Sequence, residues 1–420
     1  MATKARKWFA SIIFVSTFFV SCFIPFYLSK DKSVQVYENI ILQRISYSAL
    51  NNELTANSLI NDENNSSVSI DGNIDFINQA KNNNWPGNGT INAPFSIEDL
   101  ILLNKATGIE IRNTDLYFSI SNCKINSSKE KAIGISIQNS SNGLILDNRI
   151  NFCDTGILLN NTFSINITRN YLENGNLAVY CLNSNFNDFT KNTISEYTFE
   201  GIILYNCNNA NIIDNSITQC YLGINLEYCD VSVLSYNKLF SNREGIKIYV
   251  GDNFLVGRNI ATDGNVGLSL SKVNNTLIIN NTIKNNDYYG LYLHRSSNIT
   301  VYWNSFIQNN AFTGTSQAND DTWDTQGNSF YFNYWDEWTT PDKDADGVVD
   351  IPYAIDGNSN NFDSFPLVYN TENYNSRLTL PDRDFLPTFH INIMFFVFVG
   401  IFLSFFFKII QKNRGNINEE

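Results

Sequence analysis

The sharpest chemical signature in this 420-residue chain is an acidic loop in which Asp342, Asp344 and Asp346 alternate, Gly347 follows and Asp350 stands three residues beyond. Alternating carboxylates of this kind converge on one hard cation when a glycine permits a sharp turn, and the seventh position, Val348, offers its carbonyl oxygen. The twelfth position is Tyr353, so the bidentate glutamate of a true EF-hand is missing. The spacing predicts a structural Ca²⁺ site built from Asp342, Asp344, Asp346, Val348 and Asp350, with a merely solvated acidic turn as the alternative. Soft donors are scarce by contrast. Outside the apolar ends there is one histidine, His294, no methionine, and the cysteines Cys123, Cys153, Cys181, Cys207, Cys220 and Cys229. Cu(I) wants thiolate, thioether or imidazole, so any copper chemistry would have to run through those thiols.

These residues sit in a repeat. A small residue followed by alternating aliphatics recurs at Gly134, Gly156, Ala178, Gly201, Gly223, Gly245, Gly267 and Gly290, with spacings of 22 or 23 residues. A second landmark, Asn148, Asn170, Asn192, Asn215, Asn237, Asn259, Asn281 and Asn304, slips by the same amounts at the same places. A longer, earlier turn is visible at Gly108 with Asn122. Apolar positions alternate within each repeat, which is strand periodicity. Such a chain buries an apolar face only by coiling so that each turn covers the last, and eight turns at ~4.8 Å give a rod of about 38 Å. The predicted fold class is all-β, a right-handed parallel β-helix of about 22-residue rungs, the hand following the rule for parallel crossovers. The asparagine column reads as structural: each amide can bond to its counterpart above and below, and asparagine tolerates the left-handed geometry of a corner.

The repeat register then places the remaining candidates. Four residues past the small residue, an outward column reads Gln138, Asn160, Leu182, Tyr205, Glu227, Tyr249, Ser271 and His294. Tyr205, Glu227 and Tyr249 on consecutive rungs could stack on sugar rings and hold a hydroxyl, the alternative being ordinary surface decoration. Cys207 and Cys229 occupy one position of adjacent rungs, a separation that fits a disulfide, a two-thiolate copper site or stacked small side chains. Catalysis has less support: a glycosidase wants two facing carboxylates, and no repeated outward column supplies them.

The segment from Trp85-Pro-Gly-Asn-Gly-Thr90 to Ala93-Pro-Phe95, the Gly-Ile rungs with asparagine corners, Asn333-Tyr-Trp335, and the run from Asp342 through Tyr353 to Gly357 ending at Phe365-Pro-Leu367 together resemble the NosD-type periplasmic copper-binding β-helix proteins. The resemblance covers about residues 66–370. It implies a β-helix of the carbohydrate-binding and sugar-hydrolase class and, from the founding members, copper delivery beside a transporter. The shortage of soft ligands departs from that picture, and the chain is more similar to anchored archaeal surface proteins built on the same scaffold.

Both ends carry membrane signals. Lys4, Arg6 and Lys7 precede an uncharged stretch at 8–28, and a second at 385–407 is followed by Lys408, Lys412 and Arg414. Each is long enough to span a bilayer as a helix, and both basic flanks place the region between them outside the cytoplasm. The predicted organisation is a signal peptide or signal anchor at 1–29, a stalk at 30–65, an N-terminal cap at 66–94, rungs at 95–312, a C-terminal cap with the acidic loop at 313–370, a linker at 371–384, a transmembrane helix at 385–407 and a cytoplasmic tail at 408–420. Sequons at Asn88, Asn126, Asn139, Asn166, Asn274 and Asn298 suit an exposed glycosylated surface. A net charge of −13 removes the basic face that a nucleic-acid partner requires. The expectation is a membrane-anchored extracellular scaffold that binds a polysaccharide or a surface protein without catalysis. The alternatives are a copper-handling accessory protein and a polysaccharide-cleaving enzyme.

Overall fold

In the computed structural model, residues 65–310, 316–322 and 327–371 are described. The predicted membrane segments at 8–28 and 385–407, the tail, nearly all of the first stalk and nearly all of the 371–384 linker lie outside the described residues. Among the described residues no helix is long and apolar enough to cross a membrane.

The chain winds into a parallel β-solenoid. Val68–Asp71 pairs with Thr107–Arg112, which pairs with Ile133–Gln138, and the same parallel pairing passes through Thr155–Asn160, Tyr171–Leu182, Thr193–Tyr205, Leu222–Glu227, Glu244–Asp252, Val266–Ile279 and Tyr289–His294 to Ala318–Asp321. Register between turns is residue on residue, as in Ile202↔Ile224↔Ile246. Like therefore stacks on like, and the inward Ile157, Leu159, Ile224, Leu226, Ile246 and Ile248 are all fully buried. Removing such columns from water is the main stabilising term of the rod. The small residue opening each strand is required by close approach. A Cβ on Gly201 would stand 2.6 Å from the Gly223 carbonyl oxygen and 2.6 Å from a methyl of Ile217.

The landmark asparagines form one continuous ladder. Each Nδ2 donates to the Oδ1 of the next, from Asn148 through Asn304 to Asn333, at 2.9–3.1 Å. Left-handed backbone falls one residue earlier than expected, on Asp147, Arg169, Lys191, Asp214, Tyr236, Arg258, Asn280 and Trp303. The asparagine itself must turn its side chain inward to stack, so its predecessor makes the corner. A further turn carries the coil past residue 312: Ser329–Tyr331 and Tyr334–Trp335 pair with the strands of the preceding turn, and the ladder step from Asn304 to Asn333 spans 29 residues.

Both ends are covered. At the first, helix Asn73–Asn83 buries Phe76 and Ala80, and Phe76 stacks on Phe95 at 5.1 Å. At the other, Trp335 is sandwiched between Phe306 at 4.3 Å and Tyr353 at 4.1 Å. The ladder stops on Asp363, a buried carboxylate whose Oδ2 accepts from Asn333 N, Asn333 Nδ2 and Trp335 Nε1 at 2.9, 3.0 and 3.1 Å. A second amide ladder, Asn286 to Asn309 to Gln317, likewise ends on acids, with Gln317 Nε2 donating to Asp336 and Glu337. Each stack of amides has a donor end, and the cap places a carboxylate there.

Candidate functional site

The corner that follows each glycine-led strand faces outward and is made by two left-handed residues three apart. Asn161 and Ser164, Asn183 and Phe186, Asn206 and Asn209, Tyr228 and Val231, and Val250 and Asn253 all have φ between 49° and 63°. Successive corners are joined by backbone bonds such as Asn183 N to Tyr205 O and Tyr228 N to Tyr249 O, both 3.0 Å. The outward side chains of this corner are therefore held in file along the rod.

Tyr205, Glu227 and Tyr249 do stand in one column, Tyr205 opposite Glu227 and Glu227 opposite Tyr249. The structure adds Tyr228 between the two tyrosines. Its ring lies 5.3 Å from that of Tyr205 and 5.8 Å from that of Tyr249, within the range of favourable aromatic pairs. Lys272 closes the row, its Nζ 3.0 Å from the Tyr249 hydroxyl and 5.1 Å from the ring centroid. Tyr228 escapes a reading by columns because it sits one residue past the outward column, on the left-handed corner.

Beside this wall the sheet face carries groups that the column rule also misses. Asn225 lies under Lys247 in the adjacent outward column and is only 2% exposed. Its Nδ2 donates to Glu227 Oε1 at 3.1 Å, while its Oδ1 is buried without a partner. Glu200, on the preceding turn, has its carboxyl pushed up to about 7, first by burial and then by the Glu227 charge, with Lys247 acting in the opposite direction. Burial thus brings the Glu200 carboxyl into the range where it can hold or give up a proton near neutrality.

The acidic loop gathers three of its carboxylates. One carboxylate oxygen each from Asp342, Asp344 and Asp346 lie within 4.8 Å of one another. Gly347 turns at φ 87° and its N–H donates to Asp342 Oδ2, whereas Asp342 Oδ1 is buried without a partner. Asp350 stays outside this trio, its Oδ2 accepting from Lys343 N at 3.0 Å, and Val348 is tied by its N–H to Asp346 Oδ1.

The cysteines described are all free and buried. Cys207 and Cys229 are stacked as their register requires, Cys207 N donating to Cys229 Sγ at 3.4 Å, and Cys181 joins them with its Sγ 3.5 Å from that of Cys207. Burial raises the Cys181 thiol well above its ordinary value and the Cys229 thiol to about 12, while a hydrogen bond from Cys181 lowers Cys207. Each of Cys207 and Cys229 also donates to a backbone carbonyl at 3.3 Å. A copper site needs deprotonated soft ligands. A sealed apolar core that raises the Cys181 and Cys229 thiols fits that need poorly, and no step is assigned to copper.

The winding, the glycine-led strands and the asparagine ladder define a parallel β-helix. Residues 87–202 match the family model described as a right-handed β-helix region, and residues 154–340 match the one described as periplasmic copper-binding protein (NosD). The fold is thus a right-handed parallel β-helix, and its later turns are similar to the NosD family. No protein with a curated description matches it. Similar solved structures include the Dettilon tailspike protein, at 14% identity and a TM-score of 0.47 over 60% of this chain and 56% of that one. A double mutant of the periplasmic alginate epimerase AlgG has 15% identity and a TM-score of 0.42 over 65% and 67%. PfbA, a surface adhesin of Streptococcus pneumoniae, has 10% identity and a TM-score of 0.38 over 51% and 70%.

Proposed function

We propose that this protein is a saccharide-binding surface protein whose β-helix presents the Tyr205–Tyr228–Tyr249 wall to a carbohydrate. The observation that carries the reading is that wall together with Glu227, oriented by a buried asparagine whose own carbonyl oxygen is unsatisfied. Aromatic faces take the apolar face of a sugar ring, and fixed carboxylate and amide groups take its hydroxyls. The matched family is described as periplasmic, which supports a place for the β-helix outside the cytoplasm. Anchoring through 8–28 and 385–407 completes the reading, with a surface polysaccharide or surface protein as partner. The test is a glycan array probed with the unvaried protein and with Tyr205→Ala/Tyr249→Ala. Binding that disappears in the variant supports the reading; binding that survives undiminished overturns it.

Ca²⁺ in the Asp342–Asp344–Asp346 loop belongs to the same proposal as a structural ion that pins the C-terminal cap. Ca²⁺ at 100 times its Kd adds about 2.7 kcal/mol to stability. A melting temperature that rises with Ca²⁺, and fails to do so in Asp344→Asn, is the expected outcome. A melting temperature indifferent to Ca²⁺ leaves the loop a solvated turn.

Polysaccharide cleavage is the second reading, favoured by Glu200, whose carboxyl is pushed up to about 7 by burial and by neighbouring Glu227; release of reducing ends that vanishes in Glu200→Gln would establish it. Copper handling would rest on Cys181, Cys207 and Cys229. A Cu(I) titration against a competing chelator is expected to give no stoichiometric uptake. One-to-one uptake lost in Cys207→Ser/Cys229→Ser would put copper first.

A further inference from the structure

The tyrosine wall is one part of a longer feature. Each of five successive turns presents an aromatic residue on the same corner: Phe163, Phe186, Tyr205, Tyr228 and Tyr249. The first four are 45%, 44%, 39% and 45% exposed. Phe163 and Phe186 face each other at 5.0 Å, one turn apart. They lie on the far edge of the corner from the tyrosines, so the aromatic file crosses the corner obliquely between Phe186 and Tyr205.

Local physics does not ask for aromatics here. Phe186 is left-handed, at φ 58°, where the equivalent residues of other turns are Asn142, Ser164, Asn209, Val231, Asn253, Asn275 and Asn298. Tyr228, at φ 55°, stands where earlier turns have Asn139, Asn161, Asn183 and Asn206. A bulky side chain strains such a backbone while asparagine is tolerated, and an exposed ring gains little from burial. The rings pair with one another along the rod, and their exposed faces stay open to a ligand.

At the Phe163 end the file opens into a polar groove of about 460 Å³ whose walls include Asn113, Thr114, Asn139, Ser140, Asn161 and Phe163. Here the outward asparagines stack as the inward ones do, Asn161 Nδ2 donating to Asn139 Oδ1 at 2.7 Å and Asn139 Nδ2 to Asn113 Oδ1 at 3.1 Å. The stack stops at Asn161, whose Oδ1 accepts no hydrogen bond from the described residues. Asp115 is the groove's one charged lining residue, and its Oδ1 is taken by Asn73 Nδ2 at 2.7 Å. Amide and hydroxyl groups beside an aromatic pair, with no cation among the lining residues, suit an uncharged polyol and disfavour an anionic one.

From this arrangement we infer that an uncharged, extended oligosaccharide lies along the rod axis, its leading sugar in the Asn113–Asn139–Asn161 groove against Phe163 and Phe186 and its later sugars approaching the tyrosine wall. A pyranose in an extended chain advances by about the spacing of one rung, so successive rings meet successive turns. The inference rests on the saccharide reading above and adds a second subsite, a direction and a charge class.

The test is calorimetric titration of protein produced without N-glycosylation, which leaves Asn139 free, using cellohexaose, mannohexaose, their disaccharides and hexagalacturonate as probes. Expected is binding of a neutral hexasaccharide, at least about tenfold stronger than that of its disaccharide, and a loss of about tenfold in Phe163→Ala/Phe186→Ala. Phe163→Tyr, which keeps the ring, should retain affinity. Binding abolished by Tyr205→Ala/Tyr249→Ala but unchanged in the phenylalanine variant overturns the groove and leaves the tyrosine reading standing. Preference for hexagalacturonate overturns the charge class. If no probe binds and a wide glycan array is also silent, both the inference and the reading beneath it fall.

Discussion

The long inward asparagine stack and the outward one on the aromatic corner differ in everything except residue type. The inward one, Asn148 to Asn333, is buried, unbroken over nine residues and finished by Asp363. The outward one exists in fragments, Asn113–Asn139–Asn161 and Asn183–Asn206, and gives way to Tyr228, Val250, Lys272 and Arg295 on later turns. Inside, an amide left without a partner carries the full cost of desolvation, so every turn must supply the same residue. Outside, water satisfies whatever the chain does not, so the corner is free to vary. That freedom allows the outer corner to carry function and the inner one only structure.

The contrast can be broken most severely at its centre. Asn237 accepts from Asn215 N and Nδ2 and donates to Ile212 O and Asn259 Oδ1, at 2.8–3.1 Å. Asn237→Ala strands several of these groups and is expected to cost about 3–5 kcal/mol, read as a lower urea midpoint at unchanged slope. A loss under about 1 kcal/mol would mean that the ladder is dispensable. The terminal acid comes next: Asp363→Ala leaves three buried donors facing nothing and should cost about 2–4 kcal/mol. A small loss there would show that water reaches the ladder's end.

Glu200 sharpens the comparison through pH. Its carboxyl has a higher pKa folded than unfolded, so between the ordinary value of 4.5 and about 7 the folded state holds the extra proton. Stability from this group is therefore greatest below 4.5 and falls as pH rises towards 7. Glu200→Gln should stabilise the protein at pH 8 by about 1–3 kcal/mol, a gain that vanishes near pH 4.5; a gain independent of pH would refute the assignment. Smallest is the outward stack, where Asn161→Ala is expected to change stability by less than about 0.5 kcal/mol.

Much of this was legible in the residue order. The glycine-led strands and the asparagine column fixed winding, register and the facing of Tyr205, Glu227 and Tyr249, because a stacked solenoid converts sequence spacing directly into position. Tyr228, Phe163 and Phe186 were not legible as members of one file, since they fall on corner residues outside any strict column. Glu200 and Lys247 were missed for a related reason: they lie in other columns and on other turns than Glu227. Cys181 joins the Cys207–Cys229 stack for the same reason, approaching from a strand rather than a corner.

By itself the sequence determined the period, the buried face, the ladder and the acidic loop, because each follows from repetition or from local spacing. Only the tertiary structure decided which residue of each corner is left-handed, that the ladders end on Asp363 and on Asp336 with Glu337, and that aromatics from five turns, four of them exposed, share one corner that leads to a polar groove. Those outcomes depend on side-chain directions at turns and on segments distant in the chain meeting at the cap, and neither is encoded in any local pattern.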